Sequence, residues 1–279
     1  MSMSYDKYKA IKVEKKEGVL AITLNLPDRG NPTRDVWPEL DDLWPIAADD
    51  HEVNAILLAA AGPDFSVGLD FRAMLHPKET SPLEHLELVR GVVLRESIRE
   101  TSRHHLRSLR NIVDVPQPII AAVQGRCLGA AATIVLACDI RIVADDLQIG
   151  DTHIVRGLVP GDGGAAIWPL LVGLARSKEY LLTGDILSAV EAERIGLVNR
   201  VVPAAELQNA AWSFAKRLAS GPPLAIRLTK HAINRVLQQQ LANILDVADA
   251  FEAFSAITED HEEAGHALVE KRKPKFTGR

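Results

Sequence analysis

Apolar positions divide the chain into a strand-bearing front and an all-helical rear. Ala10 to Glu14 and Val19 to Leu26 read as two strands around the turn Lys16-Glu17-Gly18. Pro27 to Pro32 is a loop. Val36 to Ala48 has helical character, with Pro38 in its first turn and Asp35 as its expected cap. Ala55 to Ala60 and Ile119 to Val123 are short, continuously apolar runs, the pattern of strands covered on both faces. Between them, Pro82 to Val113 carries apolar residues near helical spacing and ends before Pro116 and Pro118. Gly125 to Gly129 is a turn, and Ala130 to Ala137 is a helix of small residues. Arg141 to Ala144 and Leu147 to Ile149 are short strands. Gly157 to Gly164 is a glycine-rich loop that opens a helix through Leu171. Ala189 to Ile195 is a short helix and Leu197 to Val202 a strand. From about Ala204 the strand signal stops. Three helices are expected, Ala205 to Ser220, Pro223 to Gln238 and Leu241 to Ala256, then a basic tail from Lys271 to Arg279. The division expected is residues 1–203 as a mixed α/β core and 204–279 as a helical region with its tail.

Composition narrows the function. The 279 residues are 47% hydrophobic and 25% charged, enough apolar material for a sizeable core. A formal net charge of −5 argues against nucleic acid as a partner, because that affinity rests on basic side chains meeting phosphates. Cys127 and Cys138 lie in apolar surroundings outside any CxxC pattern. They read as buried thiols of a reduced, cytoplasmic protein, with no metal site expected. The N-terminal stretch has no apolar core segment, so no signal peptide is expected. The apolar run Ile134 to Cys138 is too short to span a membrane and is ended by Asp139.

Three stretches carry chemistry. Ile119-Ile-Ala-Ala-Val-Gln-Gly-Arg-Cys-Leu-Gly-Ala-Ala runs into Leu136-Ala-Cys-Asp-Ile-Arg. Gly157-Leu-Val-Pro-Gly-Asp-Gly-Gly is followed by Leu182-Thr-Gly-Asp and Ala192-Glu-Arg-Ile-Gly-Leu-Val-Asn. The chain closes on Val269-Glu-Lys-Arg-Lys-Pro-Lys-Phe. Together, in this order over nearly the whole chain, they resemble the crotonase superfamily of enoyl-CoA hydratases and isomerases. The resemblance implies an α/β fold, a spiral of ββα turns followed by a C-terminal helical region that assembles trimers, often paired as hexamers. It also implies an acyl-CoA substrate, with coenzyme A arriving as part of that substrate and no permanently bound cofactor.

The resemblance further implies an oxyanion hole of two backbone amides, those of Leu69 and Ala130. Ala130 opens a helix, where the dipole favours negative charge. The two positions at which a hydratase keeps its glutamates are occupied by Thr133 and His153. Thr133 has a hydroxyl to hold a water but is no base near neutral pH. His153 is a base near neutral pH without tuning, and Asp162, nine residues on, is a carboxylate suited to orient it. The stretch from His153 to Trp168-Pro169 resembles the β-diketone hydrolase branch, the 6-oxocamphor hydrolase type, which cleaves a carbon–carbon bond by adding water. Arg72 with Asp70, and Lys271 in the tail, occupy places that imply contact with the coenzyme A phosphates. Pocket-lining residues are expected between Met74 and Arg110 and near Trp168, while His104 and His105 belong to a charged, solvated helix face. Three readings stay open: C–C hydrolysis on a CoA thioester, enoyl-CoA hydration with replaced catalytic groups, and a non-catalytic acyl-CoA-binding oligomer.

Overall fold

The structure, a computed structural model, describes residues 5–68 and 102–279, with side chains in the second stretch described from residue 107 onward. Strands β1 (Ile11–Lys16) and β2 (Val19–Leu24) pair antiparallel, and Gly18 takes the left-handed conformation their turn requires. After α1 (Thr33–Asp49) comes β3 (Ala55–Ala60), then α2 (Ser102–Asp114) and β4 (Ile119–Val123). The chain continues through β5 (Arg126–Leu128), α3 (Ala130–Ala137), β6 (Ile140–Ala144) and β7 (Gln148–Gly150). A 3-10 turn, Ile154–Arg156, leads to α4 (Gly164–Thr183), β8 (Leu187–Ser188), α5 (Ala189–Arg194) and β9 (Arg200–Val202). Three helices close the chain: α6 (Leu207–Ala219), α7 (Pro223–Ser255) and α8 (Glu259–Val269).

The main sheet has the order β1-β2-β3-β4-β6-β9, parallel except for the first pair. A second sheet has the order β5-β7-β8. The units β4-β5-α3 and β6-β7-α4 repeat one theme: a long strand in the first sheet, a short strand in the second, then a helix. This is the expected spiral of ββα turns. Every residue of β3 and β4 is buried, because helices cover both faces of the parallel sheet. Each Leu or Ile so placed contributes about 1.5–3 kcal/mol. One face packs on Trp44, Leu40 and Phe65. The other packs on the small residues Ala211, Ala215 and Ala219 of α6. Cys127 and Cys138 are both buried free thiols.

Several expectations are corrected. Gly125 to Gly129 is not a simple turn, for β5 runs between the two left-handed glycines. The first helix starts at Thr33 with Pro32 at its cap, and Asp35 lies in the first turn, paired with Arg29 at 2.9 Å. The helix expected to end near Leu171 continues to Thr183 through a kink at Gly173 (φ 76°, ψ 164°). The two helices expected between Pro223 and Ala256 are one, because Gln238 to Gln240 are good helix formers and no Gly or Pro interrupts them. Helix α8 was not expected. Thr258 caps it by accepting the His261 amide, and Glu259, Asp260 and Glu262 complement its dipole. Of the long helix expected from Pro82, the described part is α2.

Candidate active site

The register of the small sheet builds the site. Leu128 of β5 lies beside Gly150 of β7 in a parallel pair. The residues that follow each strand therefore emerge side by side. Gly129 donates its amide to the Gly150 carbonyl at 2.9 Å and then starts α3. Ala130 follows Gly129 at the head of that helix, where an amide has no carbonyl one turn back to accept it. Gly68 is left-handed, and a Cβ there would lie 2.7 Å from the Leu128 carbonyl, so the backbone at Gly68 passes close to the end of β5. Leu69, Asp70 and Arg72 themselves lie outside the described residues, as do the side chains of His104 and His105.

Asp151 and His153 follow β7. Asp151 Oδ1 accepts the His153 amide at 3.0 Å, a short Asx turn. The same oxygen lies 2.7 Å from His153 Nδ1. The other ring nitrogen, Nε2, faces two more carboxylates, Asp162 Oδ2 and Glu252 Oε1, each at 3.9 Å. The carboxylate in hydrogen-bond contact with the imidazole is Asp151, while Asp162, expected to orient the ring, stands at ion-pair distance from its other nitrogen. Asp162 is 1% exposed. Its Oδ1 accepts Thr133 Oγ1 at 3.1 Å and the Gly164 amide at 3.3 Å. Thr133 is thus engaged with a carboxylate.

The loop between His153 and Asp162 is pressed onto the C-terminal helices, and glycine makes that approach feasible. A Cβ on Gly161 would meet the Ala248 carbonyl at 2.6 Å and Glu252 Cβ at 2.7 Å. At Gly163 (φ 126°) it would meet Leu109 at 2.3 Å and Thr133 at 3.0 Å.

The electrostatics follow from crowding three carboxylates around one imidazole. Burial alone would lower the His153 pKa, but Asp162, Asp151 and Glu252 together outweigh it and hold the imidazole well above its ordinary value. Burial raises Glu252, with Asp162, Asp249 and Asp151 adding to the effect and His153 opposing it. The result is a carboxylate well above its usual range. The surroundings thus favour the charged form of His153 over the neutral one, a tuning the sequence did not announce. Asp151, His153 and Asp162 each offer a metal-type ligand atom within 4.8 Å of the others. With Asp151 at hydrogen-bond distance from Nδ1, the arrangement reads as a charge-assisted dyad facing two further carboxylates.

Asp151 and Glu252 are the members that sequence reasoning missed. The Asp-x-His spacing carried a signal for the first. Glu252 had no local signal, because only the path of α7 brings it to the site. Lys271 is exposed just after α8, in a left-handed conformation (φ 53°), and Trp168 is fully buried.

A spiral of ββα turns with a helix start at the end of one strand and titratable side chains at the end of the next has known counterparts. The sequence model described as enoyl-CoA hydratase/isomerase matches residues 14–279. The chain belongs to the enoyl-CoA hydratase/isomerase family. It is an enzyme of the crotonase superfamily, acting on CoA thioesters. It is 35% identical over 265 residues to the short-chain-enoyl-CoA hydratase of Clostridium acetobutylicum, covering 94% of this chain and 95% of that protein. It is 33% identical to the crotonyl-CoA hydratase of Syntrophomonas wolfei, over 96% of this chain and 98% of the other. A crystal structure of an enoyl-CoA hydratase from Mycobacterium avium subsp. paratuberculosis superposes with a TM-score of 0.81 at 28% identity, over 97% of this chain and 99% of that one. Among the described residues, no helix is long and apolar enough to cross a membrane.

Proposed function

We propose that the enzyme hydrolyses a carbon–carbon bond of a β-oxoacyl-CoA, with Glu252, the Asp151–His153 pair and Asp162 as its proton-handling groups. The observation that carries this reading is the gap at His153 Nε2. Two carboxylate oxygens stand 3.9 Å from that nitrogen, too far for direct hydrogen bonds and right for one water held among the three groups.

Glu252 accepts a proton from that water as the water oxygen bonds to the β-carbonyl carbon. A carboxylate with raised proton affinity is the better base for this step. The His153 imidazolium donates Nε2–H toward the oxygen that becomes negative. Asp151 fixes the ring through Nδ1, and Asp162 balances its charge. Collapse of the tetrahedral oxyanion breaks the bond to the α-carbon. The electron pair passes to that carbon as a thioester enolate, which the amides of Ala130 and Leu69 stabilise at the start of α3. The α-carbon then takes the proton back from Glu252. One water is consumed, and the products are a carboxylic acid and a shortened acyl-CoA.

A second reading, hydration of an enoyl-CoA by the same groups, is supported by the names of the relatives. Turnover in ¹⁸O-water separates the two. Label entering a carboxylic acid from a β-oxoacyl-CoA, and lost in His153→Ala, supports C–C hydrolysis. Loss of crotonyl-CoA absorbance without acid formation, likewise abolished by His153→Ala, overturns it in favour of hydration.

We also propose a trimer or a hexamer. Its support is the exposure of large apolar side chains, Leu174, Leu182 and Val190 on α4 and its neighbours, and Phe251 and Phe254 on α7. Lys271, on the exposed tail, is proposed to meet a coenzyme A phosphate, with Arg72 and Asp70 as further contacts.

A further inference from the structure

We propose that His261 of α8 is a positioning residue for His153, acting through the carbonyl of Arg156. The inference rests on His153 being the active group and adds what holds it in place.

The 3-10 turn that follows His153 closes on His153 itself. The Arg156 amide donates to the His153 carbonyl at 2.8 Å, and the Leu158 amide donates to the same oxygen at 3.0 Å. The far end of this turn is gripped from outside by His261, whose Nδ1 lies 2.7 Å from the Arg156 carbonyl. Since a carbonyl only accepts, Nδ1 carries the hydrogen. Burial, and then the neighbouring Arg156 charge against the pull of the hydrogen bond, leave His261 below the ordinary imidazole range, so it is neutral at pH 7.

His261 is itself fixed. Thr258 Oγ1 accepts its amide at 3.2 Å. Asp260, beside it, accepts the amides of Thr277 and Gly278 from the tail at 2.6 and 2.9 Å. The turn lies so close to α8 that a Cβ on left-handed Gly157 would sit 3.0 Å from the His261 amide nitrogen. One residue beyond Leu158, the Val159 amide donates to Ser255 Oγ at 3.1 Å, and Ser255 lies one turn after Glu252. The end of α7 and the start of α8 thus clamp the segment joining His153 to Asp162 at two points. With Arg156 released, the turn is free to rotate at its start, and the 2.7 Å contact between His153 and Asp151 goes with it.

The test compares His261→Asn, whose amide nitrogen replaces Nδ1, with His261→Gln and His261→Leu, which do not place a donor there. The readout is the titration of the His153 ring by ¹⁵N NMR, with its signals assigned by their loss in His153→Asn. This needs no substrate, so it stands apart from a failure of the proposed reaction. Wild type and His261→Asn are expected to titrate alike, well above the ordinary imidazole value. His261→Gln and His261→Leu are expected to titrate at least one pH unit lower. On whichever CoA thioester the enzyme turns over, those two should lose at least tenfold in kcat at a KM within threefold of wild type. If His261→Gln keeps the wild-type His153 titration while only its melting temperature falls, His261 is merely structural and the proposal is wrong. If His261→Leu does not fold, the contrast between Asn and Gln still decides.

Discussion

Asp151 Oδ1 holds His153 twice, accepting its backbone amide at 3.0 Å and lying 2.7 Å from its ring Nδ1. One oxygen therefore sets both the main-chain turn and the ring orientation, and it leaves Nε2 facing the gap. Asp151→Asn removes the anionic acceptor at Nδ1 and can present its amide nitrogen to the ring instead, which disfavours the imidazolium the proposed mechanism needs. The expected loss is about 10²–10⁴ in kcat, the range for a misdirected acid–base group, with KM changed less than threefold. Steady-state kinetics on the identified thioester check this. A variant within fivefold of wild type would remove Asp151 from the dyad.

The rate should follow a bell in pH. The proposed base, Glu252, must be ionised. Its raised proton affinity places the rising limb above the ordinary carboxylate range. The proposed donor, His153, must be protonated, and its raised value places the falling limb on the alkaline side. Glu252→Gln is expected to abolish the rising limb and leave a low residual rate. A kcat profile of Glu252→Gln that rises over the same pH interval as wild type would assign the base elsewhere.

Glu252 also links stability to pH. A group whose proton is held more tightly in the folded state penalises folding once pH exceeds its unfolded value, near 4.3 for Glu. The penalty is absent below that value. It grows until the folded group ionises, and Glu252→Gln never carries it. The variant is therefore expected to melt with wild type at pH 4 and above it at pH 9, by about 2–4 °C for each kcal/mol of penalty. Calorimetry at the two pH values measures the difference. A variant less stable than wild type at pH 9 would mean that the ionised carboxylate is a net stabiliser there.

What could be read in the sequence was local. The continuous apolar runs of β3 and β4, and the small-residue run of α3, were legible with their ends. So were His153, Asp162 and Thr133, because short glycine-punctuated segments carry them. The pairing of His153 was not legible, for it depends on rotation within an Asx turn. Asp151, two residues before it, takes the near nitrogen and leaves Asp162 on the far side. Glu252 was hidden more deeply. It sits toward the end of what looked like a separate helix, and only the unbroken length of α7, together with the absence of a Cβ at Gly161, brings it to the site.

Gly161 offers a direct test of that packing. Alanine there requires a Cβ 2.6 Å from the Ala248 carbonyl, a backbone atom that yields only if α7 or the loop moves. The expected cost is about 1–3 kcal/mol, as for other overpacked contacts, and the gap between His153 and Glu252 should widen with it. Denaturant melts give the stability and single-turnover rates the geometry. Stability and turnover both unchanged would mean that the loop does not bear on α7 in solution.

Thr133 stands where the resemblance implies a hydratase glutamate, and its hydroxyl is spent on Asp162, 3.1 Å away. Valine has the same shape without the donor. A buried hydrogen bond to a charged group contributes about 1.5–3 kcal/mol, and its loss frees the Asp162 side chain to turn away from His153 Nε2. A displaced Asp162 no longer balances the charge on the His153 ring. Thr133→Val is therefore expected to lower the His153 titration midpoint, and to move the falling limb of the rate profile to lower pH, without changing KM. Thr133→Ser, which keeps the hydroxyl, is expected to restore both. If valine and serine behave alike in the NMR titration and in the rate profile, the hydroxyl is not what holds Asp162 in place, and its contact in the site is one of packing alone.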